Sequence, residues 1–344
     1  MQGIDNKRNG IIAAGNWIID HIKVIDTFPV QDSLANIKEE SFSNGGSPYN
    51  ILKNLAKLGA SFPLKGIGLV GDDAYGNQIK KDCAKYGIDS TTLKILPQTP
   101  TGYTDVMTVE TSGRRTFFHQ RGANAFLDIR DFDFSDGKEK LFHLGYLLLL
   151  DALDKIYEDG TSGASIVLKK ACQSGLKTSV DLVSEDSDRF EKVILPALPY
   201  IHFLFLNEFE ATRCTGINLV SDKPEYASLN RAATNILNYG VREWVFIHFS
   251  TGVFAKSKSG KIIIQGAINL PQEKVVSALG AGDALASGIL YAIHEEWKIS
   301  DALRLGVCSA ASCLQELSSS KGILSYKECL KLEDTYNYRQ LENN

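Results

Sequence analysis

Four consecutive residues near the C-terminus, Gly280-Ala281-Gly282-Asp283, combine an accessible backbone with a carboxylate. Leu285, Ile289 and Ala292 follow at helical spacing, so the glycines are predicted to lie where a loop enters a helix. The free N–H groups at the start of a helix bind anions, and small residues let a phosphate approach the backbone. Asp283 could act on a ligand there or cap the helix, and for an isolated Asp the cap is the more frequent role.

A second candidate lies in the stretch Gly45-Gly46-Ser47-Pro48-Tyr49-Asn50. Ser47 suits an N-cap and Pro48 the first helical position, and Gly59 suits the residue that ends the helix after Leu58. A double glycine lets a ligand contact the backbone, although a plain turn explains it equally well. These assignments leave three residues without a structural reason, namely Gly45, Gly46 and Asn50.

A third candidate follows the first apolar run of the chain. Asn16 and Asp20 come directly after Ile11 to Ala14, and open α/β sheets bind ligands at the carboxyl ends of their strands. Their side chains could accept hydrogen bonds from sugar hydroxyls, although each residue alone is more often part of a turn.

The elements that position these residues are short apolar runs separated by segments with helical signals. This alternation predicts parallel βαβ units and a doubly wound, mostly parallel α/β sheet. The predicted strands are Ile11 to Ala14, Leu64 to Val70, Leu141 to Leu150, Thr178 to Val183, His202 to Leu206 and Val245 to Phe249.

Two stretches break this alternation. Val24 to Asn44 is polar and mixed, and Tyr103 to Gln120 alternates around a turn at Ser112-Gly113, which predicts a β-hairpin. We predict that they form a small β-sheet lid, with lid segments at about residues 21–44 and 101–121. No linker, repeat or low-complexity tract divides the chain, so residues 1–344 are predicted to be a single domain.

Composition restricts the partners and the compartment. Thirty-seven Lys and Arg against 41 Asp and Glu give a net charge of −4, which argues against nucleic acid as a partner. The six cysteines form no C-x-x-C pair, which indicates a reduced, cytoplasmic setting without a zinc site. The longest apolar run, Leu144 to Leu150, is far shorter than the roughly 20 residues of a membrane helix, so no membrane contact is expected.

Another pattern suggests a different chemistry. Gly66-Ile67-Gly68-Leu69-Val70-Gly71 fits the G-x-G-x-x-G expression of dinucleotide folds, with Asp89 where a ribose-binding acid could lie. This alternative is an NAD-dependent oxidoreductase. However, the apolar residues place these glycines inside a strand, and Asp72-Asp73 would bring negative charge to a pyrophosphate.

The three candidates and their order resemble the ribokinase-like (PfkB) family of sugar and nucleoside kinases. The first family signature is similar to Gly45-Gly46 through Asn50, and the second to Gly280 through Asp283. Between them, Asn207-Glu208-Phe209-Glu210 is similar to the family's N-x-x-E segment, and Gly122-Ala123-Asn124 to its return from the lid. Each match alone is weak, but together they cover nearly the whole chain in the right order.

The resemblance implies an ATP-dependent kinase that phosphorylates the hydroxymethyl group of a small sugar, with a nucleoside as the alternative acceptor. Asp283 would be the general base, and the amides of Gly280, Ala281 and Gly282 would stabilise the transferred phosphoryl group. Asn207 and Glu210 would organise Mg²⁺ on ATP through water, although both could simply start a helix, and Gly252 would lie at the nucleotide end. The acceptor would be held by Asn16, Asp20, Gly45, Gly46 and Asn50.

The chain departs from the family at several positions. Ser277-Ala278-Leu279 precedes Gly280 where the family usually has an Asp that binds a monovalent cation, so potassium dependence stays open. Ser250-Thr251-Gly252 only partly matches the family's Thr-x-Gly turn. Family members often pair through their lids, which implies a possible homodimer, and a non-catalytic sugar- or nucleotide-binding relative stays a further alternative. Trp17, Tyr103 and Phe118 are expected near the acceptor and could stack on a base, but such residues more often pack in a lid or core, so they do not favour a nucleoside over a sugar.

Overall fold

A large sheet forms the centre of the molecule, and the computed structural model describes residues 8–135, 137–219 and 224–341. The strands in chain order are β1 (Ile11–Gly15), β2 (Ile18–Ile25), β3 (Ile37–Gly45), β4 (Leu64–Gly71), β5 (Ile88–Leu96), β6 (Gly102–Val109), β7 (Arg115–Gln120), β8 (Leu141–Leu147), β9 (Lys177–Leu182), β10 (Phe203–Asn207), β11 (Trp244–Phe249), β12 (Gly252–Ser257) and β13 (Ile262–Gly266). Nine of them form the large sheet in the order β13-β12-β11-β10-β9-β8-β1-β4-β5. It is parallel from β11 to β5, and β12 and β13 extend it as antiparallel strands.

Helices cover both faces of this sheet. They are α1 (Ser47–Leu58), α2 (Ala74–Lys85), α3 (Gly163–Gln173), α4 (Glu208–Thr215), α5 (Tyr226–Asn238), α6 (Ala281–His294), α7 (Ile299–Cys313) and α8 (Tyr326–Tyr336). Strand β1 shows how the two layers arise, because Ile11 and Ala13 belong to the core that includes α1, α6 and α7, whereas Ile12 and Ala14 belong to the core that includes α3 and α5. Alternate residues of one strand therefore belong to two separate cores.

A second sheet forms the lid, which we define as β3-β2-β6-β7 in that order. The β6–β7 hairpin and the β2–β3 pair are antiparallel, and β2 and β6 join them in parallel. Strand β2 follows β1 after only Asn16 and Trp17, so the lid continues directly from an interior strand of the large sheet. Ile22 and Val106 on the lid pack against Leu279, which precedes the Gly280 turn.

Most of the predicted strands are present, with some shifts at their ends. Strand β8 ends at Leu147 rather than Leu150, and β2 begins at Ile18, which places Asp20 inside the lid sheet rather than before it. Ser47 is not an N-cap as predicted, because α1 starts at Ser47 and Gly46 occupies the cap position. No helix of the described residues is long and apolar enough to cross a membrane.

Candidate active site

Strand β1 has β4 on one side and β8 on the other, because the chain adds β4 and β5 on one side of β1 and later returns to add β8 on the other. Such a switch point opens a crevice at the carboxyl ends of the strands, where α/β folds place their sites. Asn16 follows β1 and Tyr146 lies near the end of β8, and the predicted glycine turns and carboxylates meet around these two ends. The connectivity therefore brings together segments that are far apart in sequence.

Asp283 lies in the first turn of α6, after a turn in which Gly280 has a φ of 74°. Its carboxylate does not cap the helix. Instead, Asn50 Nδ2 donates to Oδ2 at 2.8 Å, and the Tyr146 hydroxyl lies 2.8 Å from both oxygens. Burial and the charge of Asp181 raise the pKa of Asp283, whereas the hydrogen bonds from Asn50 and Tyr146 lower it. The group is thus a desolvated carboxyl fixed by two donors.

Asn50 is itself held by a network of polar side chains. Its Oδ1 accepts from Asn44 Nδ2 at 2.6 Å and from Ser319 Oγ at 3.1 Å, which leaves its NH₂ group directed at Asp283. Asn44 Nδ2 also donates to Ser320 Oγ at 2.8 Å. Because all of these side chains are buried, the amide of Asn50 has one well-defined orientation.

Gly45 and Gly46 of the first signature are each required for a different steric reason. Gly46 has a φ of 84°, and a Cβ there would lie 2.0 Å from the carbonyl oxygen of Asn16. A Cβ at Gly45 would lie 2.3 Å from Asp20 Oδ1. Gly46 thus allows the close approach of α1 to β1, and Gly45 makes space for the carboxylate of Asp20.

Asp20 lies on the lid face that also carries Thr104 and His119, since Asp20 pairs with Thr104 and Thr104 with His119. Its carboxylate is buried and accepts no hydrogen bond from the described part of the chain. Burial raises the pKa of Asp20 well above its usual value, and the charge of Asp283 raises it further. Two buried carboxyls, one from the lid and one from α6, therefore act on each other across the crevice.

Asn16 has a different environment from the other predicted acceptor residues. Its Oδ1 accepts from the Tyr146 amide at 2.7 Å, and its Nδ2 donates to the Leu149 carbonyl at 3.1 Å. The side chain is fully buried and holds the end of β8 against the end of β1.

The nucleotide end predicted at Asn207 and Glu210 forms a reciprocal cap at the start of α4. Asn207 Oδ1 accepts from the Glu210 amide at 2.8 Å, and Glu210 Oε2 accepts from the Asn207 amide at 2.9 Å. Glu210 Oε1 also accepts from Ser184 Oγ at 2.9 Å. Burial raises the pKa of Glu210 to about 7. Asn207 and Glu210 therefore start a helix, which is the alternative to a magnesium-binding role. Since their side-chain oxygens already accept hydrogen bonds, they have little capacity to bind a metal ion directly.

Gly252 and Gly282 differ in what surrounds them. A Cβ at Gly252 would lie 2.5 Å from the Gln265 carbonyl oxygen, so the pairing of β12 with β13 explains this glycine. A Cβ at Gly282 would meet only the His248 ring, at 3.4 Å, so its backbone faces open space apart from that ring. Burial lowers the pKa of His248 to about 4, which leaves the ring neutral at neutral pH.

Sequence reasoning missed a buried group beside the base. Asp181 accepts from Ser47 Oγ at 2.9 Å through Oδ2, and its Oδ1 lies 3.4 Å from His143 Nε2. Ser47 is thus a hydrogen-bond donor to Asp181 instead of a helix cap. An acidic residue inside the predicted buried strand Thr178 to Val183 was a signal that could have identified Asp181. Tyr146 gave no comparable signal, because a tyrosine in a strand is ordinary.

The aromatic residues expected near the acceptor lie elsewhere. The Trp17 indole is fully buried and donates to the Ile67 carbonyl at 2.9 Å. Tyr103 and Phe118 alternate with the residues of the Asp20 row, so they project from the opposite face of the lid. None of the three therefore offers a stacking surface beside Asp283.

The dinucleotide-like pattern also has a packing explanation. A Cβ at Gly66 would lie 2.5 Å from Trp17 Cζ2, and one at Gly68 would lie 2.2 Å from Trp17 Cδ1. These glycines lie within β4 and make a trough for the indole, so the oxidoreductase alternative is wrong. The described residues also contain no group of three or more His, Cys, Asp or Glu side chains placed to hold a metal ion.

Comparison with known proteins confirms the resemblance. Residues 9–324 match the pfkB family carbohydrate kinase profile. Ribokinase from Haemophilus influenzae is 23% identical over 94% of this chain and 98% of its own length. Two solved structures share the fold. One is Arabidopsis thaliana ribokinase complexed with ribose and ATP, with a TM-score of 0.76, 22% identity, and 94% and 98% of the two chains covered. The other is Burkholderia thailandensis nucleoside kinase in complex with inosine, with a TM-score of 0.73, 16% identity, and 96% and 100% covered.

These likenesses confirm the predicted fold class, a doubly wound, mostly parallel sheet with a small β-sheet lid. The profile match covers both glycine signatures and the N-x-x-E segment between them. The chain therefore belongs to the pfkB family of carbohydrate kinases, ATP-dependent phosphotransferases that act on an alcohol group.

Proposed function

We propose that this kinase transfers the γ-phosphoryl group of ATP to the hydroxymethyl group of a small sugar, with Asp283 as the general base. The observation that carries the proposal is the position of the Asp283 carboxylate. It is buried, held by Asn50 and Tyr146, and lies one residue beyond Gly282 at the start of α6. A base with a raised pKa is suited to removing a proton from an alcohol near neutral pH.

The acceptor side is formed by Asp20 and Asn50. The Asp20 carboxylate has free acceptor capacity and would take hydrogen bonds from sugar hydroxyls, while the lid surface around Ile22 and Val106 closes on Leu279. Water exclusion of this kind protects ATP from simple hydrolysis. Gly45 leaves space for the Asp20 carboxylate and Gly46 lets α1 approach Asn16, so both act on the acceptor through these neighbours, and Asn16 acts by holding β8 in place.

The transferred phosphoryl group would meet the amides at the start of α6. The first N–H groups of a helix have no partner within it, and they are directed at the position where negative charge develops. Gly282 keeps a side chain away from this position and the neutral His248 ring closes its far side, whereas Gly280 provides the positive φ of the turn and the space beside Ser319. Phosphoryl transfer depends mainly on such positioning and charge stabilisation.

The nucleotide would extend toward Asn207, Glu210 and Gly252. Mg²⁺ prefers oxygen ligands and keeps part of its water shell, and both Glu210 oxygens already accept hydrogen bonds, so this pair fits the ion only through water. When bound, Mg²⁺ would neutralise phosphate charge during transfer. The Tyr146 hydroxyl is bonded to the base, and the three aromatic residues expected near the acceptor lie elsewhere, so none of these four rings favours a nucleoside over a sugar.

A coupled assay for ADP release tests the proposal with a panel of sugars and nucleosides. We expect ADP release that depends on a sugar, and a roughly 10²–10⁴-fold lower kcat in Asp283→Asn. A nucleoside acceptor would replace the sugar assignment. ADP release that does not depend on an acceptor would indicate ATP hydrolysis instead of transfer, and the absence of ADP release with any acceptor would favour the non-catalytic alternative. Retention of more than about a tenth of kcat in Asp283→Asn would remove it as the base.

We also propose a homodimer formed through the lid in a reducing compartment. The lid and its β2–β3 loop expose apolar side chains, which single copies seldom leave in one region. They are Phe28, Val30, Leu34, Ile37, Phe42, Phe117 and Phe118. All six cysteines are free. Light scattering measures the molar mass in solution and tests this assembly. We expect wild type to be a dimer and Leu34→Asp to be a monomer, and a monomeric wild type would exclude the proposed dimer.

A further inference from the structure

A basic groove of about 880 Å³ lies beside α1, α2 and the segment 318–321. We call it the lysine groove, because five lysines line it. Two come from α1, two from α2 and one from the segment after α7, and they are Lys53, Lys57, Lys81, Lys85 and Lys321. Asp82 is the only acidic residue among those that line the groove.

The arrangement of these charges is unfavourable without a counter-ion. Lys53 and Lys57 are four residues apart on α1, as are Lys81 and Lys85 on α2, and like charges at this spacing repel each other. Burial and then the charge of Lys53 lower the pKa of Lys57. The chain as a whole carries a net charge of −4, so the excess of lysines in this groove is a local feature and not a result of a basic composition.

Three of the five ammonium groups are already in use. Lys53 pairs with Asp82 at 2.6 Å, and Lys57 donates to the carbonyls of Ser320 and Lys321 at 2.9 and 2.7 Å. Lys321 pairs with Glu316 at 3.0 Å.

Lys81 and Lys85 remain available. Both are exposed, and neither forms an ion pair within the described residues. The Lys85 ammonium lies over the Tyr86 ring, 5.4 Å from its centroid. Lys53 and Lys57 are held by hydrogen bonds, whereas Lys81 and Lys85 are exposed and form no ion pair within the described residues, so the groove has two cations that a ligand could pair with.

The lysine groove lies away from the predicted nucleotide end. Helix α2 packs on β4 and β5 at one side of the large sheet, whereas Asn207 and Gly252 lie on β10 and β12 at the other side. The groove nevertheless reaches the acceptor network, since Ser43 and Asn44 also line it. Asn44 bonds to Asn50, which bonds to Asp283.

We propose that the lysine groove is a second ligand site, for a small molecule carrying two or more phosphate groups. Two separated phosphates would match lysines that project from two different helices, and a phosphate is a strong acceptor for ammonium groups. The half-buried Tyr86 ring at the edge of the groove would contact the carbon skeleton. A ligand there would touch Ser43 and Asn44, so we expect it to change the KM for the acceptor and not the KM for ATP.

Calorimetric titration with fructose 1,6-bisphosphate, in the presence of saturating ADP to fill the nucleotide end, tests the site. We expect the Kd for the bisphosphate to rise at least about tenfold in Lys81→Gln/Lys85→Gln, because the loss of one hydrogen bond to a charged group weakens binding by about that factor. The matched control is Lys327→Gln/Lys331→Gln, an exposed pair with the same spacing on α8, one of which also lies over a tyrosine ring. It should bind like wild type.

Because binding is measured without turnover, the result is independent of the proposed chemistry. Thermal melting checks that each variant is folded, and Lys85→Gln alone provides a milder change should the pair prove unstable. Equal affinity in both double variants would overturn the site. So would the absence of bisphosphate binding at millimolar concentration, and binding of long-chain polyphosphate alone would reassign the groove to polyanionic polymers.

Discussion

The proton affinity of Asp283 reflects four neighbours that act in opposite directions. Burial and the charge of Asp181 raise its pKa, and Asp20 interacts with it across the crevice. Asn50 and Tyr146 donate to the carboxylate and stabilise its charged form. Each of these contacts therefore provides a way to change the pH dependence of the proposed base without removing it.

Asp283→Asn should stabilise the fold, and increasingly so as the pH rises. The folded-state pKa of Asp283 is raised, so the folded protein keeps this proton more firmly than the unfolded chain does. Stability from this group is therefore present below the ordinary Asp pKa and is lost as the pH rises toward the folded value. Melting temperatures of wild type and variant at about pH 5 and about pH 8 should diverge. A difference in melting temperature between variant and wild type that becomes smaller as the pH rises would contradict the raised pKa of Asp283.

Tyr146→Phe should shift the acidic limb of the kcat profile to higher pH. The phenol hydroxyl stabilises ionised Asp283, so its loss raises the pKa of the base and leaves less of it ionised at low pH. Tyr338→Phe is the matched control, because Tyr338 donates to Glu333 far from the site. A profile that moves to lower pH, or an equal shift in both variants, would show that Tyr146 does not act on Asp283.

Residue type and spacing alone predicted part of this site and missed the rest. Asp20, Asn50 and Asp283 stood out because each follows a glycine turn or a strand end. Tyr146 and Asp181 did not, since their places depend on which strands become neighbours. The pairing of β1 with β8 sets Gly15 beside Gly145, and no local pattern encodes a match across 130 residues.

At the level of elements, β4 shows how one sequence pattern can have two causes. Its glycines fit a nucleotide-binding expression, yet they accept the Trp17 side chain, which also stacks on Tyr49 with centroids 5.5 Å apart. Helix α1 is fixed through this stack beside the end of β1. The apolar residues of β4 correctly predicted a strand. They could not show that its glycines make space for the Trp17 side chain.

Gly68→Ala should destabilise the protein by about 1–3 kcal/mol, the usual cost of overpacking a core. The added methyl group would overlap the indole of Trp17, which is enclosed on all sides. Chemical denaturation measures the change. In a Trp17→Ala background the same substitution should cost much less, because the two sites are in contact. Equal costs in both backgrounds would show that the indole does not determine the need for glycine.

At the scale of the whole molecule, two sheets meet at the short link Asn16-Trp17. The large sheet contributes the base through α6, and the lid contributes Asp20. The end of β3 is bonded to Asn50 and Ser320 through Asn44, whereas Ile22 and Val106 of the lid make a small apolar contact with Leu279. A contact of this size suits a surface that opens for the acceptor and closes around it.

Acceptor binding should slow amide hydrogen exchange in the β6–β7 hairpin, Gly102–Gln120. Ordering a flap raises its local opening free energy, whereas β9 lies in the middle of the large sheet and should change little. Mass spectrometry with and without the sugar found in the ADP assay provides the comparison. Equal protection of both segments would indicate general stabilisation, and an unchanged hairpin would exclude it as a lid.

The parallel pairing of β2 with β6 has a consequence for how the site appears during synthesis. Asp20 aligns with Thr104, and Asn50 bonds to Asp283, which lies 233 residues further along the chain. A nascent chain therefore cannot close its lid sheet until β6 has left the ribosome, and it has no base until α6 follows. Translation that stops between them would leave Asn50 without Asp283 and without Ser319, the partners that orient its amide, so activity requires nearly complete synthesis.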